Sequence, residues 1–227
     1  MEVEKRHFEQ ELEQLKTKLL ITSALVESAV FRSITAVVQR DRKMAEEVIQ
    51  NEVRVDRLEI EIDEQAIRLL ALRQPMAGDL RLITSAIKIN NDLERMGDLA
   101  VNTAQRALAL MDEPVSPGLI DIPHIAALVQ NMVRKSLDAF IAKDAALAQS
   151  VLSSDHAVDA LKNAFSRELI SYMQREPNHI QQGLNLVSIV RNLERVADHA
   201  TNIAEGVLFY IKGIDVRHQT ELLAKEE

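Results

Sequence analysis

The stretch 90–105, NNDLERMGDLAVNTAQ, has a near copy at 191–205, RNLERVADHATNIAE. The two copies lie 100 residues apart and repeat the same order of apolar, acidic and amide side chains. The matched pairs are Leu93/Leu193, Glu94/Glu194, Arg95/Arg195, Asp98/Asp198, Ala100/Ala200, Asn102/Asn202 and Ala104/Ala204. A match of this length indicates that the chain repeats a structural unit in tandem.

A looser match precedes each copy, at a spacing of 103 residues. The segment NEVRVDRLEIEI, around Asp56, aligns with SDHAVDALKNAF, around Asp159. The drift of three residues fits one insertion or deletion in the turn that holds Pro75 or Pro177. The repeated unit therefore includes two helices and the turn between them.

The few Pro and Gly residues punctuate long segments of Ala, Leu, Glu, Arg and Gln, which are strong helix formers. Strand-like alternation is absent, and 112–123, DEPVSPGLIDIP, is the one linker rich in Pro and Gly. The expected helices are at about 5–40, 42–73, 77–111, 121–143, 145–175 and 179–212. Short turns between long helices are typical of antiparallel bundles. We predict an all-α fold of two tandem, duplicated three-helix bundles, six long helices in total.

The domain boundaries follow from this pattern. The predicted parts are a first three-helix repeat at 1–113, a linker at 114–120, a second repeat at 121–213 and a polar C-terminal tail at 214–227.

Composition excludes several classes of function. The chain has no Cys, which excludes disulfides, thiolate catalysis and Cys-ligated metal sites. Its net charge of −8, with 3% aromatic residues and no basic patch, disfavours binding to nucleic acid. The charged N-terminus lacks the order of a signal peptide, and we see no stretch near the roughly 18 apolar residues of a membrane span. We therefore expect a cytoplasmic protein without a membrane span.

Pairs of carboxylates four residues apart occur on the second and third helix of each repeat, and this spacing places each pair on one helix face. Because these helices are neighbours in an antiparallel bundle, four carboxylates can converge in each repeat. An Asn lies one turn further along each third helix. The candidate metal ligands are Glu52, Asp56, Glu94, Asp98 and Asn102 in the first repeat and Asp155, Asp159, Glu194, Asp198 and Asn202 in the second. Such oxygen ligands suit hard divalent cations or iron.

A solvated acidic face is the alternative, and the run Glu52, Asp56, Glu59, Asp63 also fits an exposed stripe. Three arguments favour metal, and one is that the acidic pairs recur in both repeats. Like charges four apart destabilise a helix by a few tenths of a kcal/mol unless they are neutralised. Glu94 also projects within about 20° of the apolar residues Ile83, Ile87 and Val101. We expect Arg95, turned about 100° from Glu94, to reach it poorly.

His156 and His199 each follow an aspartate of these pairs. Because one residue turns the helix by about 100°, we expect both to lie at the edge of the clusters or outside them. The Glu-x-x-His spacing of ferritin-type di-iron sites is missing. The sequence also lacks a P-loop, a Gly-rich dinucleotide turn, a Gly-x-Ser-x-Gly elbow and HEXXH.

Two tandem three-helix units, each with a Glu/Asp-x-x-x-Asp pair and an LER-x-x-D-x-x-x-N phrase, resemble the PhoU family of phosphate-transport regulatory proteins. The resemblance runs from about Phe8 to about His218 and includes FEQELEQLKTKLL in the first helix and QPMAGDLRLI at Gln74–Ile83. It implies a cytoplasmic homodimer of six-helix chains that binds metal ions, such as Fe, Zn, Mn or Mg, through the ten acidic and amide residues named above.

The resemblance also implies a function. Family members restrain the phosphate-starvation response by linking the ATPase subunit of the high-affinity phosphate ABC transporter to a membrane sensor histidine kinase. We therefore expect a metal-binding regulatory adaptor and not an enzyme. One alternative is a carboxylate-bridged multinuclear metalloenzyme. Against it, the sequence offers no general base beyond the ligands themselves and no substrate-positioning motif. Another is a structural adaptor without metal. One departure between the copies is Gly97 where Ala197 stands, which we expect to loosen helix packing.

Overall fold

The computed structural model describes residues 2–113 and 120–216, with side chains from residue 7 onward. The described residues form six long α-helices and no strand. The helices are α1 Glu2–Gln39, α2 Arg42–Arg73, α3 Ala77–Met111, α4 Ile122–Ala142, α5 Ala145–Arg175 and α6 Ile180–Lys212. A short 3-10 turn at Pro177–His179 precedes α6. The all-α fold of two three-helix repeats is confirmed, and the helix bounds agree with the predicted ones to within about three residues.

Two parts of the predicted domain plan fall outside the described residues. These are 114–119 of the linker and 217–227 of the C-terminal tail.

The turns α1–α2 and α4–α5 are built in the same way. Arg40 and Lys143 adopt left-handed backbone angles, with φ of 53° and 54°. The next residue in each turn, Asp41 or Asp144, caps the following helix by accepting hydrogen bonds from amides of its first turn. Acidic N-caps satisfy amides that have no partner within the helix. The duplicated sequence is therefore matched by a duplicated turn.

Within the first repeat each helix runs antiparallel to the next one. Lys18 of α1 lies 2.9 Å from Glu61 of α2, and Glu11 nearer the start of α1 pairs at 3.0 Å with Arg73 at the end of α2. The helices enclose a core of fully buried side chains that includes Leu15, Leu19, Ile62, Leu69, Ile83, Ile89, Leu93 and Met96. The second repeat is built alike from α4, α5 and α6 around Ile125, Met132, Leu169 and Ile189.

The two repeats pack together through their third helices, α3 and α6. Asp92 of α3 contacts His199 of α6, and Thr103 further along α3 accepts from Asn192 nearer the start of α6. Residues later in α3 contact residues earlier in α6, so the two helices are antiparallel. Both copies of the repeated phrase therefore lie at the centre of the molecule.

By length and composition alone, one helix in the described ranges is apolar enough to cross a membrane. It is the part of α1 over His7–Gln39, where the most apolar window has a mean hydropathy of 1.4 and 39% of its residues are buried in the protein. No such segment was expected from the sequence. Its apolar character serves packing, because α1 contacts α2, α3 and α4 and buries Val26, Val30 and Ile34. A core helix of a bundle meets the same criterion.

Candidate metal centres

In the first repeat, the antiparallel packing of α2 and α3 brings the two predicted acidic pairs to one cleft. Glu52 and Asp56 enter it from α2, and Glu94 and Asp98 enter it from α3. The apolar lining of the cleft consists of Leu25, Ala29, Val48, Val55, Gly97 and Val101. Four carboxylates therefore share one mostly apolar cleft, as the spacing in the sequence indicated.

The electrostatics of this cleft show that the carboxylates interact across the two helices. Burial raises the pKa of Glu52, and the charges of Asp56 and Asp98 raise it further. Burial and the charge of Asp98 likewise raise the pKa of Glu94, against the opposing effect of Arg95. Groups that make ionisation harder for one another favour a bound cation.

The expectation that Arg95 reaches Glu94 poorly is wrong. The Arg95 Nε lies 3.3 Å from Glu94 Oε2, and its Nη1 lies 3.4 Å from Asp98 Oδ2. The direction of the Cβ differs by about 100°, but the long guanidinium stem bends back across the helix surface. The Arg95 side chain is 51% exposed, whereas that of Glu94 is 24% exposed. The first cluster thus has a counter-ion on its solvent side.

The second repeat brings Asp155 and Asp159 of α5 close to Glu194 and Asp198 of α6. Lys162 joins them, with its Nζ 3.2 Å from Asp159 Oδ1 and 2.9 Å from Glu194 Oε1. Burial raises the pKa of Asp155, and the charge of Asp159 raises it further. Burial, followed by the charges of Glu194, Asp155 and Asp159, raises the pKa of Asp198 to about 6. This cluster therefore combines four crowded carboxylates with an ammonium group.

The two asparagines predicted as ligands lie apart from the carboxylates. Asn102 is exposed and does not line the first cleft. Asn202 donates from Nδ2 to Asp92 Oδ1 at 3.1 Å and lines a separate cleft between the repeats. His199 Nδ1 lies 2.8 Å from the same Asp92 oxygen. The α3–α6 contact therefore engages both His199 and Asn202, and His156 is exposed.

Sequence reasoning missed two residues, Asp92 and Lys162. Each stands where the two repeats differ, because Asn192 matches Asp92 and Glu59 matches Lys162. The site residues were predicted from the positions that the two repeats share, so positions at which the repeats differ were not considered. A comparison of the differing positions would have found both residues.

The residues of the first cleft suit a metal ion in their chemistry. Carboxylate oxygens are the ligands that hard divalent cations and iron prefer. As the side chains stand, no group of three or more His, Asp or Glu residues in the described ranges is close enough to hold an ion. Glu94 and Asp98 both turn toward Arg95. A metal ion could bind these two carboxylates only after Arg95 moved away from them.

Comparisons with known proteins fit both the fold and the duplication. The family model described as the PhoU domain matches twice, over residues 19–107 and 122–207. A protein of Pseudomonas aeruginosa named phosphate-specific transport system accessory protein PhoU homolog is 43% identical over 223 residues, covering 98% of this chain and 92% of the relative.

Two solved structures are similar over nearly their whole length. The crystal structure of PhoU from Pseudomonas aeruginosa matches with a TM-score of 0.88 and 42% identity, over 91% of this chain and 100% of that one. The phosphate transport system regulatory protein PhoU from Streptococcus pneumoniae matches with a TM-score of 0.84 and 30% identity, over 92% of this chain and 99% of that one.

Proposed function

Because the chain belongs to the PhoU family, we propose that it is a metal-binding regulatory adaptor of phosphate homeostasis. In this proposal it acts in the cytoplasm and restrains the phosphate-starvation response. It links the ATPase subunit of a phosphate ABC transporter to a membrane sensor histidine kinase and so modulates phosphate uptake. The names of its relatives, accessory protein and regulatory protein, support a role without catalysis.

The observation that carries the metal-binding part is the convergence of four carboxylates between α2 and α3. Glu52, Asp56, Glu94 and Asp98 would hold the ion, and its charge would remove the repulsion that raises the pKa of Glu52 and Glu94. The corresponding residues of the second repeat are the second candidate cluster. Metal would then join neighbouring helices and make the clefts more rigid.

An exposed apolar line on α2 supports the adaptor part. Val53, Ile60 and Ile67 are 63%, 56% and 62% exposed and follow one another at a spacing of seven. This spacing keeps them within about 20° of one line along the helix. The matching positions on α5 are His156, Asn163 and Ile170. Two of these three residues are polar, although the two repeats share a fold, so packing within a repeat does not require an apolar line here. The exposed line on α2 therefore suits contact with another protein, either a partner or a second copy in a homodimer.

Elemental analysis tests the metal-binding part. We expect the purified full chain to carry a stoichiometric metal ion and a variant with Glu94→Ala and Asp98→Ala to carry less. A control with Asp138→Ala and Glu168→Ala removes two exposed acids outside the clusters and should retain the metal. Wild-type protein without stoichiometric metal would overturn the metal-binding part and leave the adaptor part standing.

Binding of the full chain to the two proposed partners tests the adaptor part. Surface plasmon resonance against the transporter ATPase subunit and the sensor kinase should detect both complexes. We expect Ile60→Glu to weaken at least one of them by about tenfold, the cost of a buried apolar anchor. The control, Asn163→Glu, changes the matching position of α5 and should bind as wild type does. A wild-type chain that binds neither protein would exclude the adaptor role.

A further inference from the structure

The second acidic cluster holds a cation that the chain itself provides. The ammonium of Lys162 bridges Asp159 of its own helix and Glu194 of α6, at 3.2 and 2.9 Å. Its side chain is 26% exposed, and its ammonium spans the gap between α5 and α6. The ammonium is charged at neutral pH, so its hydrogen bonds to Asp159 and Glu194 are charge-assisted.

The first cluster has the opposite charge at the matching position. The alignment that pairs Asp56 with Asp159 pairs Glu59 with Lys162. Glu59 lines the cleft between the repeats and not the first cleft itself, but it lies close enough for its charge to raise the pKa of Glu94. The first repeat therefore has an acidic group beside its four clustered carboxylates, at the position where the second repeat has a lysine.

The remaining counter-ions do not offset this difference. An arginine follows the glutamate of both third helices, Arg95 in the first repeat and Arg195 in the second. Arg95 approaches its cluster from the solvent side and is half exposed. It can leave the carboxylates without unpacking a helix contact. Lys162, in contrast, connects α5 to α6.

We propose that Lys162 acts as a built-in counter-ion that keeps divalent cations from binding tightly to the second cluster. Metal binding is then concentrated in the first repeat, where the matching residue, Glu59, is acidic. The inference rests on the proposed metal-binding function and divides that function unequally between the repeats.

The physical reason is competition for the same oxygens. A divalent cation binds carboxylate oxygen at about 2.0–2.6 Å, and Lys162 already takes an oxygen of Asp159 and one of Glu194. To enter, the ion must break two charge-assisted hydrogen bonds and displace a positive charge. We expect this to weaken the affinity of the second cluster by about tenfold or more relative to the first.

A titration of the metal-free full chain with Mn²⁺ tests the proposal. Calorimetry measures the affinities, and the electron paramagnetic resonance signal of free Mn²⁺ counts the bound ions. Wild-type protein should show one tight event and a second that is about tenfold weaker or more. The tight event should vanish in the variant with Glu94→Ala and Asp98→Ala, which assigns it to the first cluster.

Four single substitutions then isolate the lysine. Lys162→Met removes the charge and keeps the apolar stem, and should strengthen the second event by about tenfold. Lys162→Arg keeps the charge and should leave that event weak. Lys212→Met makes the same change of net charge at an exposed position and should alter neither event. Glu59→Lys replaces a negative charge beside the first cluster with a positive one and should weaken the tight event.

The outcomes separate this inference from the function on which it rests. Two tight events in the wild type, unchanged by Lys162→Met, would overturn the inference and leave metal binding intact. If neither the wild type nor Lys162→Met bound Mn²⁺, both the inference and the proposed metal-binding function would be overturned. Circular dichroism and thermal unfolding of each variant show that a loss of binding does not come from a loss of fold.

Discussion

At the scale of single residues, Asp198 makes the stability of the protein depend on pH. Burial and three neighbouring carboxylates raise its pKa from 3.8 to about 6. Between these two values the folded protein holds a proton that the unfolded chain has lost. The free energy of unfolding therefore falls as pH rises from about 4 to about 6, and it stays lower at higher pH. Solvent screens part of this effect, because the carboxyl group of Asp198 is only partly buried.

We predict that Asp198→Asn stabilises the metal-free protein at pH 8 and leaves its stability near pH 4 unchanged. The amide cannot ionise, so it avoids the repulsion from Glu194, Asp155 and Asp159. Thermal unfolding of both proteins across this pH range measures the difference. Asp138→Asn, at an exposed position outside the cluster, is the control. A melting temperature raised equally at both pH values would exclude this explanation.

Asp92 is the second residue with a specific energetic role. It is buried between the repeats and accepts from His199 and Asn202. We predict that Asp92→Ala lowers the free energy of unfolding by about 1–3 kcal/mol, because the mostly buried His199 loses its acceptor. Asn192→Ala removes the single 3.3 Å contact at the matching position and should cost about 0.5–1.5 kcal/mol. Urea unfolding at pH 7 compares them, and equal midpoints would contradict the prediction.

The limits of sequence reasoning at this scale are illustrated by Arg95 and Asn202. A helical wheel gives the direction in which a side chain leaves the backbone, which was enough to bring Glu94 and Asp98 to the face that meets α2. It does not give the bend of a long side chain, so the contacts of Arg95 were missed. Nor does it show that another helix offers Asn202 a better partner in Asp92.

At the scale of elements, the central part of α3 contains a glycine that its packing does not require. A Cβ built at Gly97 would lie 3.5 Å from Val55 Cγ1, an ordinary contact distance. Alanine is favoured over glycine inside a helix by about 1 kcal/mol. The matching residue, Ala197, is already alanine and fully buried. The expected loosening at Gly97 is therefore one of backbone entropy and not of empty space.

We predict that Gly97→Ala raises the free energy of unfolding by about 0.5–1 kcal/mol. Gly183→Ala, in the first turn of α6, is the matched comparison, because its Cβ would overlap the Met173 side chain. That overlap should cancel the gain in helix propensity. Chemical unfolding of both variants measures the contrast, and a destabilised Gly97→Ala would show that the cleft does need the glycine.

The helices themselves were the part of the fold that the sequence predicted most closely. Pro75, Pro177 and the 112–123 segment interrupt otherwise continuous helix-forming sequence, and acidic caps mark the remaining two turns. These signals are local, so they are readable without tertiary structure. The short 3-10 turn before α6 was not predicted, since Pro177 signals the break without specifying its geometry.

At the scale of the whole molecule, the repeats share a buried interface. Helices α3 and α6 pack against each other, and the buried Ile89 of α3 lies against Gly206 of α6. The duplication was evident from the sequence, but the packing of α3 against α6 was not. An apolar face shows that a helix has a partner and does not identify it.

We predict that the full chain unfolds in one cooperative transition, because opening either repeat would expose the apolar face of the other. Differential scanning calorimetry should give equal calorimetric and van't Hoff enthalpies. The isolated segment 121–213 should fail to form a stable monomer, as judged by circular dichroism and gel filtration. Two separated transitions in the full chain would show that the repeats fold independently.

The antiparallel contact of α3 with α6 has the form of a dimer interface whose two subunits have become one polypeptide. Two identical subunits would meet in the same way, but every substitution would then appear on both sides at once. Joined copies can diverge at one position only. Asp92 faces His199 on one side of the join, and the exchanged residues are Asn192 and Leu99. Because the two repeats are joined in one chain, a substitution can be kept in one repeat alone. One repeat can then acquire its own role while the other maintains the fold.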